Sequence, residues 1–139
     1  MTIINSVDIK KHFGCEVHAA DKDYLCPSLT WVRRDLLPKY REFKRKYKLD
    51  KYEPEIQDCD DAAVYLYAFA RALHSRTSKN RDVTIALGEI WYKTRNGGFH
   101  SIDSVFIGKD AVLKFIEPQT PAIVDLTPAE RKSIWFVRF

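Results

Sequence analysis

Cys59 stands in the tetrad Asp58-Cys59-Asp60-Asp61, one thiol among three carboxylates, directly in front of an apolar run that continues to His74. A thiol does chemistry as a thiolate, and a place just inside a helix N-terminus favours that form. The run supplies the helix, because Ala62, Leu66, Phe69, Ala70 and Leu73 recur at three- and four-residue steps on one face. Asp58 is its natural N-cap, and Asp60 and Asp61 suit the positive end of the helix dipole. The same acids oppose ionisation of the thiol. One charge about 6 Å away, at an effective dielectric of about 20, costs the thiolate roughly 2.8 kcal/mol, whereas a helix terminus returns about 0.3–1 kcal/mol. A reactive Cys59 therefore needs its neighbours neutralised, by solvent screening or by a bound cation. The competing reading is a small buried cysteine beside an ordinary cap.

A thiol nucleophile also requires a base within hydrogen-bond reach, and the base requires an orienting partner. The chain has four histidines, His12, His18, His74 and His100. His74 lies about 22 Å along the helix from Cys59 and cannot serve. His12 and His18 precede the expected core, which leaves His100 at the start of a strand after a glycine turn. Glu117 qualifies as orienter. His100 lies eight positions before Gly108 and Glu117 nine positions after it, so antiparallel pairing around that turn brings the two together.

The elements that position these groups follow from pattern. Residues 83–93, 99–108 and 111–118 are rich in β-branched and aromatic residues, with turn signals at Asn96-Gly97-Gly98 and Gly108-Lys109-Asp110. They read as an antiparallel meander. Residues 29–37 and 39–48 read as helical, with Pro38 either starting the second segment or kinking one longer helix, Thr127-Pro128-Ala129-Glu130 opens a short helix as a capping box, and 133–139 reads as a last strand. Helices first and sheet afterwards imply an α+β class in which N-terminal helices and the Cys59 helix pack on an antiparallel sheet, a layout similar to papain-like and transglutaminase-like thiol enzymes.

The sequence of 139 residues suits a single domain, 1–139, with a helical, basic segment at 1–51 and the Cys59 helix plus sheet at 52–139. Three cysteines, Cys15, Cys26 and Cys59, make no disulfide framework, and the first residues lack the pattern of a secretory signal, so a cytoplasmic protein that makes no use of a membrane is expected. Residues 33–51 carry nine Lys or Arg against three acids within a chain of net charge +4. Tyr40, Phe43 and Tyr47 interleave with them at helical spacing. That spacing predicts one buried aromatic face with Lys44, Arg45 and Lys48 solvated, in preference to a nucleic-acid surface. His12, Cys15, His18 and Cys26 are zinc-competent but match no zinc spacing, and read as a chance cluster.

From about Tyr52 to Thr120, through DCDDAA, FHSIDSVFI and FIEPQT, the sequence resembles the papain-like cysteine-peptidase domain attached to the β-trefoil of fairy-ring mushroom agglutinin, and its free-standing bacteriophage relatives. The resemblance implies Cys59 as nucleophile, His100 as general base and Glu117 as its orienter. It implies metal ligation by Asp58, Asp60, Asp61 and Gln119, with Ca2+ or another hard divalent cation such as Mn2+ as cofactor. Gln57 and the Cys59 backbone N–H are candidates for the oxyanion hole. The resulting expectation is a calcium-assisted cysteine hydrolase of peptidase or amidase type, acting on a peptide or protein in a phage-infected host cytoplasm. The alternative is a non-catalytic descendant of that fold, binding a host protein or nucleic acid through the basic face.

Overall fold

Residues 1–55, 57–80 and 82–139 are described by the structure, a computed structural model. The chain begins with strand β1 (Thr2–Asn5), helix α1 (Ser6–Lys10), β2 (Val17–His18) and β3 (Asp23–Cys26). Helix α2 (Leu29–Trp31) then runs through a π-helical turn, Val32–Leu36, into α3 (Leu37–Lys46). Pro38 neither stops this helix nor starts a new one. It has no N–H to donate, and the wide turn just before it, closed by Leu37 N–H to the Val32 carbonyl, absorbs the ring. Helix α4 (Cys59–Thr77) follows, then β4 (Thr84–Ile85), β5 (Leu87–Lys93), β6 (Phe99–Ile107), β7 (Val112–Glu117), β8 (Ala122–Val124), α5 (Pro128–Lys132) and β9 (Phe136–Arg138).

Strands β5, β6 and β7 form the antiparallel meander, turned by Gly97 at φ 89° and Gly108 at φ 72°, where an L side chain would be strained. The whole architecture nevertheless differs from the papain-like helix-plus-antiparallel-sheet class. The described residues form nine strands in two mixed sheets, one ordered β1-β3-β4 and the other β2-β9-β5-β6-β7-β8. Both contain parallel pairs, β3 with β4 and β2 with β9.

The reason lies in β6, which is buried continuously from Ser101 to Ile107. A strand buried on both faces needs two covering layers. One layer is α4 with the α2–α3 helix, whose Val32, Leu36, Tyr40, Leu66 and Ala70 pack with Leu87, Val105 and Ile116. The other comes from residues 1–26, expected to be helical, which cover Ile90, Ile102 and Phe106 with Ile4, Ile9, Phe13 and Tyr24. The zinc-competent residues are dispersed by this packing: Cys26 lies in that core, the His12 ring sits edge-on to Phe106, and His18 lies against Phe136.

The basic helix is also corrected. Tyr40 is buried and stacks on Phe43, but Tyr47 is exposed, and Lys44 is buried rather than solvated. Lys44 Nζ donates to the carbonyls of Pro118 at 3.2 Å and Gln119 at 2.7 Å. No helix among the described residues is long and apolar enough to cross a membrane.

Candidate functional site

The register of the meander fixes the first pair. The β6–β7 pairing ends at Asp103 opposite Ile116, and its register carried one residue further brings Glu117 level with Ile102, so His100 and Glu117 project from one side of adjacent strands, two residues apart. Their side chains meet at 2.6 Å, His100 Nε2 to Glu117 Oε2. The other oxygen, Glu117 Oε1, accepts the Gln119 backbone N–H at 3.0 Å. With Nε2 occupied, Nδ1 is the ring nitrogen left for other work, and the ring sits edge-on to Tyr92 with centroids 5.9 Å apart.

Cys59 opens α4, and it lines with His100 a cleft of about 210 Å3 whose remaining walls are Asp60, Trp91, Phe99, Ser101 and Trp135. Burial pushes the Cys59 thiol up, the Ser101 backbone N–H draws it down, and the charges of Asp60 and Asp58 push it up again. Cys26 is pushed up to about 11 by burial, and burial also raises Cys15.

Asp58 occupies the N-cap position of α4 but makes no side-chain cap hydrogen bond, and its Oδ1 is buried without a partner. Carboxylate oxygens of Asp58, Asp60 and Asp61 lie within 4.8 Å of one another. Asp58 and Asp60 compete for one proton, so a hydrogen bond to Asp58 and partial burial push Asp60 up to about 6 while the same bond holds Asp58 low. Three close carboxylates, one with an unsatisfied buried oxygen, suit a hard divalent cation.

Gln57 and Gln119 stand on a second cavity, of about 340 Å3, with Lys44, Tyr52 and Tyr65. Gln57 Oε1 is buried without a partner. The hydrogen bonds of Gln119 run through its backbone to Glu117 and Lys44.

Reading by residue type missed the aromatic wall and the buried acid beneath it. Trp135 comes from the segment before β9 and meets Trp91 and Phe99 edge-on at 5.7 and 5.3 Å, a juxtaposition made by the β5–β9 pairing that no local motif carries. Asp103, fully buried opposite Glu89, has no hydrogen-bond partner on either carboxylate oxygen. Burial raises its pKa well above the usual range, Glu89 and Glu117 add to the rise, and Arg138 opposes it. The folded state thus retains a proton that the unfolded chain releases, so stability falls as pH rises from the unfolded value toward the folded one. Asp103→Asn should therefore melt higher than the parent at pH 7, with the gap narrowing towards pH 4. A gap independent of pH would show that Asp103 is ionised in the fold.

No family model matches the chain, and no curated protein matches it. Among the solved structures that share its fold are the following two. A chain described as "PSL1a-E64 complex" is 15% identical with a TM-score of 0.67, over 99% of this chain and 50% of that one. A Polyporus squamosus lectin bound to the human-type influenza-binding epitope Neu5Aca2-6Galb1-4GlcNAc is 17% identical with a TM-score of 0.69, over 93% of this chain and 44% of that one. The chain thus spans about half the length of each, and identities this low carry fold alone.

These findings correct the reading from resemblance. Neither description names a peptidase, and one names a lectin, so membership of the agglutinin peptidase family is withdrawn. The calcium-assisted cysteine hydrolase goes with it, as do the peptide substrate and the phage attribution. The physical reason is that DCDDAA, FHSIDSVFI and FIEPQT build a helix start against a meander. Such motifs specify a geometry that different functions share.

Proposed function

We propose that the cleft is a ligand-binding site in which Cys59 is a reactive thiol, His100 its proton partner and Glu117 the group that orients the imidazole. The observation that carries this reading is the 2.6 Å His100–Glu117 pair on the wall that Cys59 shares. It is a reading of binding and capture, without turnover. His100 Nδ1 takes the proton from Cys59 Sγ, and the thiolate attacks an electrophilic carbon of the ligand. With an epoxide, the carbon–oxygen bond breaks and the ring oxygen receives the proton from the imidazolium, so no further reagent is required. The Cys59 backbone N–H, at the start of α4, is the polar contact proposed for the ligand here, whereas Gln57 lines the neighbouring cavity and not this cleft.

One structural neighbour is described in complex with E64, an epoxide that alkylates thiols, and that reagent is the natural probe. Incubation should add the mass of one E64 at Cys59, ahead of Cys15 and Cys26. His100→Ala should slow the addition about 100-fold and Glu117→Gln by less. Equal labelling of all three thiols in the folded protein would defeat the proposal.

Asp58, Asp60 and Asp61 would hold a hard divalent cation such as calcium or manganese, which when bound would offset most of the negative charge that the three carboxylates place beside the thiol.

The aromatic wall favours a second reading, a glycan-bearing partner. Phe99 and Trp135 are exposed, and beside them lie the polar groups His100, Asp60 and Ser101, an arrangement suited to the apolar face and hydroxyl edge of a sugar ring. Titration with the trisaccharide named for the lectin should give saturable binding that Trp135→Ala abolishes. Binding unaffected by that substitution would place the glycan elsewhere.

A further inference from the structure

Helix α3 reaches across to the segment that follows β7 with two cations one turn apart. Arg41 Nη2 donates to the Pro121 carbonyl at 2.6 Å, and Lys44 Nζ donates to those of Pro118 and Gln119. Three carbonyls of one short connection are thus held by one helix face. Lys44 is 5% exposed. A lysine is rarely buried so fully without a fixed task, since its ammonium must be given up by water. The burial lowers its pKa, and Asp50 and Glu117 oppose that fall.

The same connection leads directly to the site. Lys44 donates to Gln119 O, Gln119 N–H donates to Glu117 Oε1, and Glu117 Oε2 meets His100 Nε2. We infer that Lys44, assisted by Arg41, is a positioning residue for the cleft. It fixes the Pro118–Pro121 connection, and through the Gln119 amide it holds the Glu117 carboxylate in line with the imidazole. This accounts for a basic segment whose inner cation is buried, where a purely solvated face would leave it in water. Lys44 does not line the Cys59 cleft, and the hydrogen-bonded route from it to the site runs through Glu117.

The inference rests on the proposed Cys59–His100–Glu117 reading only for its effect on reactivity, and the experiment separates the two. Lys44→Met, Lys44→Arg and Arg41→Met are compared by the E64 alkylation rate of Cys59 and by NMR titration of the His100 imidazole. Lys44→Met should slow alkylation about 10-fold, the loss expected when a hydrogen bond to a charged group is removed. It should also move the His100 midpoint to lower pH, because the carboxylate is no longer held on the ring. Simple loss of a nearby positive charge would move that midpoint upward, so the direction distinguishes positioning from charge. Lys44→Arg should restore most of both properties. A folded Lys44→Met with the His100 midpoint unchanged or raised overturns the inference, whatever the alkylation rate. A lowered midpoint with no Cys59 alkylation in the parent protein would uphold the positioning and reject the thiol reading. If Lys44→Met does not fold, Arg41→Met removes the Pro121 contact alone and should produce the same two changes in smaller measure. No change in a folded Arg41→Met would then overturn the inference.

Discussion

Gly88→Ala should destabilise the protein by at least about 3 kcal/mol, the upper part of the range for forcing extra atoms into a packed interior. Gly88 lies in β5, opposite Ser104 of β6 and beside β9. A Cβ placed there would stand 2.4 Å from the Arg138 carbonyl oxygen and 2.8 Å from two carbons of the Phe139 ring. Neither neighbour can yield cheaply. Arg138 is paired with Glu89 across β5 and β9, and Phe139 is fully buried against Phe13, Tyr24 and Phe106. At roughly 2–4 °C per kcal/mol for a domain of this size, the thermal midpoint should fall by about 6–12 °C. Gly108→Ala is the internal comparison. It sits at φ 72° with nothing within 4 Å of the new methyl, so only the backbone penalty of about 1–2 kcal/mol applies. Equal losses for the two variants would show that β5 and β9 do not approach as closely as described.

Calcium should raise both the thermal midpoint and the Cys59 alkylation rate, if the three acids at the start of α4 hold the cation proposed for them. A ligand that binds only the folded turn stabilises by about 2.7 kcal/mol at one hundred times its dissociation constant. The gain should depend on pH with a definite sign. Asp60 is pushed up to about 6, so the ion must displace its proton below that pH, and the calcium-induced shift should be smaller at pH 5 than at pH 7. The thiol should respond in the same direction, because Asp58 and Asp60 are among the groups that keep it protonated. Asp60→Asn should weaken both responses together. Calorimetric titration of chelator-treated protein, with alkylation followed at each addition, measures them side by side. Binding that leaves alkylation unchanged would detach the cation from the thiol, and the absence of binding at millimolar calcium would leave the three acids as a helix end.

The parts of this arrangement legible in the sequence were those written in local pattern. The start of α4 at Cys59 follows from the step of its apolar residues and the acids before it, and the antiparallel pairing of β6 with β7 follows from the turn at Gly108, although the register sets Glu117 two residues from His100. What lay beyond reach was set by tertiary burial. Nothing in residues 2–5 or 23–26 announces that they pair with one another to cover the outer face of β6, because strands this short have too few positions to show a period. The same limit applied to Lys44. Helical spacing places it one residue from Phe43, on the margin between the buried and wet faces, and only the carbonyls of the Pro118–Pro121 connection decide that it turns inward. Trp135 reaches the cleft through the pairing of β9 with β5, a contact between segments far apart in the chain.

That pairing bears on the order in which the molecule assembles. In the larger sheet β9 is an interior strand, hydrogen-bonded to β2 on one side and β5 on the other, and Val137 faces Val17. The β5–β6–β7 meander and α4 can form from neighbours in sequence, whereas β9 reaches β5 across 45 residues, from Trp91 to Phe136, and β2 across 120, from Val17 to Val137, so its seam closes after the meander. Until it forms, β5 presents an unpaired edge and Trp91 lacks Trp135 and Phe136. The aromatic wall of the cleft is then among the last features to appear on folding, and substitutions in β9 that weaken it should leave the rate of folding largely unchanged while hastening unfolding.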